Sequence, residues 1–120
     1  MRISVAVLLV MILGHLMVNL VLPERGVKSI DFAFVAGKWA DPFWQVYDGI
    51  MLWLALIHGT NGMRTLVNDY AEREWVRKTL NIALWSVAAI LLILGTLVVT
   101  TFDPCIDPKV ENYLPGVCKP

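Results

Sequence analysis

The sequence predicts an all-α integral membrane chain, with three transmembrane helices in a single domain covering residues 1–120, on three observations. The composition is 58% hydrophobic and 17% charged, whereas soluble domains are nearer half apolar and about a quarter charged. The mean hydropathy is +0.65. The apolar residues gather into three long blocks with the charges collected between them, each block about the roughly 20 residues that cross a bilayer's hydrocarbon core. The net charge is +0, so the basic footprint of a nucleic-acid binder is missing and the expected surroundings are lipid.

The first span is expected over 3–22, interrupted by Ser4, Gly14, His15 and Asn19. A signal peptide would share the opening Met1-Arg2, but the run exceeds a signal's apolar region and no small-residue cleavage site follows it. A retained helix is therefore expected. Pro23-Glu24-Arg25-Gly26 ends it by turn chemistry. The loop to Pro42 mixes charges of both signs with Phe32, Phe34 and Trp39, a composition suited to the membrane interface. The second span, 43–67, is the least hydrophobic and carries His58-Gly-Thr-Asn-Gly-Met-Arg64. Such a run is costly against lipid, so its polar face is expected to look into a bundle or onto a cofactor. Asp69 to Lys78 reads as a charged connector, with Asp69 and Arg73 at the i,i+4 spacing of a helical ion pair. The third span, 80–102, is plainly apolar, marked only by Trp85 and Gly95. The tail 103–120, with Pro104, Pro108, Pro115 and Pro120, is expected to be irregular.

Orientation follows from Lys and Arg near the span ends. Arg2, Arg64, Arg73, Arg77 and Lys78 fall on one side, and Arg25, Lys28, Lys38, Lys109 and Lys119 on the other, an even division of the 10. The dense group Arg73 to Lys78 favours that connector inside, with the N-terminus cytoplasmic and the C-terminus exoplasmic. Cys105 and Cys118 would then share an oxidising exterior, where a disulfide is permitted.

The chain has 2 histidines, His15 and His58, both within expected spans, and an ionisable residue at membrane depth points to function. Helical spacing puts Asn61, Gly62, Thr65 and Asp69 on the face of His58, and Ser4, Met11 and Asn19 on that of His15. Neutral imidazole is a common axial ligand of haem iron, and bundles build such sites from facing helices. Zinc would require three or four ligands. Counted from Ile3, His15 lies roughly 18 Å deep and His58 roughly 13–16 Å from the same face, close enough for both to clamp one iron.

The run His58-x-x-x-Gly62-Met63 followed by Asp69-Tyr70, with Arg2-x-Ser4 at the start and the histidine in the second of three spans, resembles the smaller hydrophobic anchor of succinate dehydrogenase, respiratory complex II. The resemblance covers most of residues 2–102. It implies a membrane anchor that carries electrons from succinate towards quinone as part of the tricarboxylic acid cycle and the respiratory chain. It implies His58 as an axial ligand to haem b, Arg2 near a haem propionate, and Asp69 and Tyr70 at a quinone site. His15 departs from the single-haem pattern and resembles bacterial two-haem forms, in which two anchor subunits each give one histidine to each haem. Those forms imply two haems b, menaquinone and the bacterial plasma membrane. In them the quinone pocket can lie on the outer side, where Trp39, Phe43 and Trp44 are the aromatic candidates. The implied partners are a second hydrophobic anchor subunit, an iron–sulfur subunit and a flavoprotein subunit. This chain has no dicarboxylate, flavin or cluster motif of its own, so no activity is expected from it in isolation. Two other readings stand beside this one: a cytochrome b carrier of another membrane oxidoreductase, and a haem-free structural subunit.

Overall fold

Four α-helices form the frame of the computed structural model, which describes residues 2–24 and 26–103. α1 (Arg2–Leu16) runs straight into one π-helical turn (Met17–Val21), a 3₁₀ turn (Gly26–Ser29) follows, and then come α2 (Phe32–Trp39), α3 (Pro42–Tyr70) and α4 (Glu74–Thr101). Among the described residues there is no strand. The tail cysteines Cys105 and Cys118 lie outside the described residues.

Among the described residues two segments are long and apolar enough to cross a membrane, Arg2–Val21 with mean hydropathy 2.4 and Glu74–Thr101 with 2.7. The second expected span, 43–67, does not pass that test. α3 has the length, 29 residues or about 43 Å, but Asp48, His58, Asn61 and Arg64 break its apolar character. The connector is also shorter than its charge suggested. Only Ala71, Glu72 and Arg73 separate α3 from α4. Glu74 in the first turn of α4 complements the helix dipole and pairs with Lys78 one turn on, Oε1 to Nζ 2.7 Å. The expected i,i+4 pairing of Asp69 with Arg73 fails for a related reason. It needs one continuous helix, and the chain leaves helical geometry at Ala71 (φ −83°, ψ 98°).

The loop expected at the interface is mostly helical. Asp31 caps α2, accepting from the Phe34 N–H at 2.8 Å, and Asp41 caps α3, accepting from the Phe43 N–H at 2.9 Å, with Pro42 in the first turn. Two capped helices joined through Ala40 and Asp41 fold back on each other, and Ala36 of α2 is fully buried where they meet.

α3 is the central helix, packed on α1 on one side and α4 on the other, antiparallel to both. Against α4, Asn81 Nδ2 donates to Asn68 Oδ1 at 2.9 Å and Trp53 Nε1 to Thr96 Oγ1 at 3.0 Å. Against α1, Tyr47 Oη donates to the Met11 carbonyl at 2.7 Å. A Cβ on Gly14 would stand 2.8 Å from that Oη, so glycine leaves room for the Tyr47 hydroxyl against α1. There is almost no enclosed apolar core. Among the described residues the buried ones are Leu8, Ala36, Thr60 and Ala88, while Ile3 is 81% and Ile82 68% exposed. Apolar surface on this scale needs lipid or other chains to cover it.

Candidate functional site

At one end of the bundle a polar cluster is assembled from four helical segments around Asp48. Its Oδ2 accepts from Lys38 Nζ at 2.9 Å and from Trp39 Nε1 at 2.8 Å, and its Oδ1 lies 3.2 Å from His15 Nδ1. Lys38 and Trp39 end α2, Asp48 lies in the second turn of α3, and His15 ends α1 just before the π turn. The back-fold at Ala40-Asp41 brings the end of α2 over the start of α3. Asn19, within the π turn, donates from Nδ2 to the His15 carbonyl at 2.6 Å, and its Oδ1 lies 3.5 Å from Lys38 Nζ. Lone π-helical turns occur often at functional sites.

The electrostatics follow from burial. The Asp48 and Lys38 side chains are only 10% and 9% exposed, and isolated charges so covered would be costly. Each neutralises the other, and the Trp39 N–H fills a further acceptor site. A carboxylate can only accept, so His15 donates from Nδ1–H, and a neutral ring then carries its lone pair on Nε2. A cavity of about 520 Å³ opens at this point, lined by Ile12, His15, Trp39, Asp48, Met51 and Gly95 among others. In the first turns of α3 Phe43, Trp44 and Tyr47 pack edge-on or tilted, with ring centroids 5.1–6.1 Å apart, and Trp39 meets Phe102 edge-on at 5.1 Å.

The other histidine stands near the middle of α3, level with the start of α1. His58 Nδ1 lies 3.3 Å from Ser4 Oγ, so α1 supplies its partner from its first turn. Arg2 begins α1 and is exposed at this same end. Gly59 and Gly62 face open space, since a Cβ on either would meet nothing within 4 Å. Asp69 and Tyr70 close α3 beyond His58 and are exposed, Tyr70 at 81%.

This register corrects the depth argument. His58 is level with Ser4 and His15 with Asp48, and ten residues of α3 separate those levels by roughly 15 Å. Two nitrogens on one metal stand about 4 Å apart, at roughly 2 Å per bond. The two histidines therefore do not share one iron. The error came from counting depth from estimated span ends, when the packing of α3 on α1 sets the level. Among the described residues no three His, Cys, Asp or Glu gather to hold a metal.

Asp48 is the residue that reading the sequence passed over. Its signal was the one that marked the histidines, an ionisable group inside an apolar run. Lys38 and Trp39 were legible only as a charge and an aromatic ring, because their roles depend on α2 folding back.

A family model described as succinate dehydrogenase/fumarate reductase transmembrane subunit matches residues 1–98, which contain both histidines and the whole Asp48 cluster. No curated protein matches the chain.

Asp48→Ala would strand a buried lysine. The expected loss is on the order of 3–5 kcal/mol, whereas Asp48→Leu combined with Lys38→Met removes both charges and should recover most of it. Thermal unfolding of the purified, assembled protein in detergent measures both. A double variant no more stable than Asp48→Ala would contradict the pairing.

Proposed function

The chain belongs to the family of succinate dehydrogenase/fumarate reductase transmembrane subunits, and we propose that it anchors such a complex in the membrane and ligates two haems b, at two separate levels of its helix bundle. The observation that carries the reading is the placement of the two histidines at levels roughly 15 Å apart along α3, each with Nδ1 engaged by a side chain from another helix. Metal-bound histidines generally hold their second ring nitrogen in such a hydrogen bond. Nε2 of His15 and Nε2 of His58 are then the nitrogens for iron. At His58 the ligating tautomer donates from Nδ1–H to Ser4 Oγ. The open face at Gly59 and Gly62 and the cavity beside His15 give a flat, bulky group room to approach. Bound haem supplies one-electron redox chemistry. Since this chain offers one histidine at each level, any further protein ligand to each haem would come from the partner anchor subunit. Arg2, at the His58 end, is the residue for a propionate.

α3 also crosses the membrane, as the middle one of three spans. Three of its polar groups meet other helices: Asp48 meets Lys38, Trp39 and His15, His58 meets Ser4, and Asn68 meets Asn81. A helix satisfied in this way can lie between two apolar ones although its hydropathy is modest. The antiparallel register sets Arg2 at the same end as the Arg73–Lys78 cluster. That supports a cytoplasmic N-terminus and an exoplasmic C-terminus in a bacterial plasma membrane.

Succinate chemistry belongs to the flavoprotein and iron–sulfur subunits, and this chain helps form the site where quinone, here menaquinone, receives the electrons. Tyr70 donates a hydrogen bond to a quinone carbonyl, and Asp69 relays the proton. A second reading puts the quinone at the opposite end. It is favoured by the packed rings of Phe43, Trp44 and Tyr47, and by Trp39 and the His15 cavity.

Two experiments test the proposal. His58→Ala should abolish one b-type haem signal in the assembled complex, and His15→Ala a second, spectrally distinct one, each sparing the other. Unchanged pyridine haemochrome content in either variant removes that residue as a ligand. Tyr70→Phe keeps the ring and loses one hydrogen bond, worth on the order of 1–3 kcal/mol when its partner is buried, so quinone reduction should fall roughly tenfold to a hundredfold. Haem content, and succinate oxidation by a soluble dye that accepts electrons upstream, should stay normal. Full quinone turnover in this variant would move the site to the aromatic end.

A further inference from the structure

The two imidazoles have different partners, and this difference makes the two histidine levels chemically unequal. His58 faces a neutral hydroxyl, Ser4 Oγ at 3.3 Å. His15 faces a carboxylate, Asp48 Oδ1 at 3.2 Å. A hydrogen bond to an ionised acceptor is roughly twice as strong as one between neutral groups. It also draws the Nδ1 proton away from the ring, which leaves Nε2 the more electron-rich donor.

Asp48 is not there only to neutralise Lys38. Both Lys38 Nζ and Trp39 Nε1 lie on Oδ2, and Oδ1 is turned to the imidazole. The His15 backbone carbonyl accepts from Asn19 Nδ2, and Asn19 Oδ1 accepts from the same Lys38 Nζ that bonds Asp48. The carboxylate's orientation is therefore set by α2, and the ring's by the carboxylate.

We propose that Asp48 is the positioning residue for His15, fixing its Nδ1–H tautomer and ring orientation and making the iron at His15 the lower-potential one of the two, with Lys38 moderating the effect. The inference rests on His15 being an axial ligand, as proposed above. A more basic ligand favours the ferric state, and hydrogen bonding to an axial ligand is one of the means by which a protein tunes haem potential. Lys38 partly offsets the Asp48 charge, so Asp48 and Lys38 act on the iron with opposite sign.

The test is a spectroscopic redox titration of the assembled complex in detergent, with variants at both positions. In the wild type the two haems should titrate separately, and His15→Ala should remove the lower-potential component. Asp48→Asn keeps the side chain's shape and removes its charge. It should raise the lower midpoint by about 59 mV, equivalent to a tenfold change in the oxidised-to-reduced ratio of a one-electron couple, and leave the His58 component unmoved. Lys38→Gln should move the same midpoint down. A merely structural role predicts shifts of one sign, or of both haems together. If His15→Ala removes no haem, the ligand reading fails and the proposal falls with it. If it removes the higher-potential haem, or removes the lower-potential one while neither charge variant moves that midpoint, the proposal alone is overturned. Should Asp48→Asn fail to assemble, the Lys38→Gln shift and the identity of the component lost in His15→Ala still decide the matter.

Discussion

The antiparallel register of α3 against α1 is the constraint on which the rest of the arrangement depends. A helix advances about 1.5 Å per residue and is stiff, so fixing two contacts along a pair of helices fixes every level between them. Here the contacts are Ser4 with His58 at the start of α1 and His15 with Asp48 near its end, and Tyr47, next to Asp48, adds a bond to the Met11 carbonyl. In lipid there is no hydrophobic drive bringing one apolar helix to another. Association relies on small residues that allow close approach and on polar contacts. Gly14 against Tyr47 and Gly95 against Leu52 are the close approaches, and the imidazole and asparagine pairs are the polar contacts.

The same constraint explains why the central helix looks least like a membrane helix. Asp48, His58 and Asn68 face other helices, so part of its low hydropathy shares a cause with its central position. The outer helices carry their apolar side chains outward, where Ile3, Val10, Ile82 and Ile93 are largely exposed in the single chain. The exposed apolar surface on α1 and α4 is surface for lipid or neighbouring chains to cover. The short α2 has a different task. It brings a buried lysine and an indole N–H onto Asp48 and so closes the end of the bundle where His15 lies.

Much of this was legible in the sequence, and where it was not there is a physical reason. α1 and α4 follow from long apolar runs, and both histidines follow from being ionisable within such runs. The start of α4 at Glu74 was missed because charges were read as a connector, although a helix longer than the bilayer is thick carries charges on its protruding turn. The Asp69–Arg73 pair was read at helical spacing across a point where the helix ends. The partners of Asp48 were out of reach because they depend on α2 reversing at Ala40-Asp41, a tertiary event with only two N-cap aspartates to signal it. The vertical levels of the histidines were misjudged because depth in a bundle is set by packing between helices, not by distance from the end of an apolar run.

The central claim is that the two histidine levels of this chain serve separate metal centres, and counting haem against chain tests it most directly. The assembled complex, purified from the membrane and quantified by pyridine haemochrome against the amount of this chain, should contain two haems b per copy. A value of one per copy, with the complex intact and active, would contradict the account.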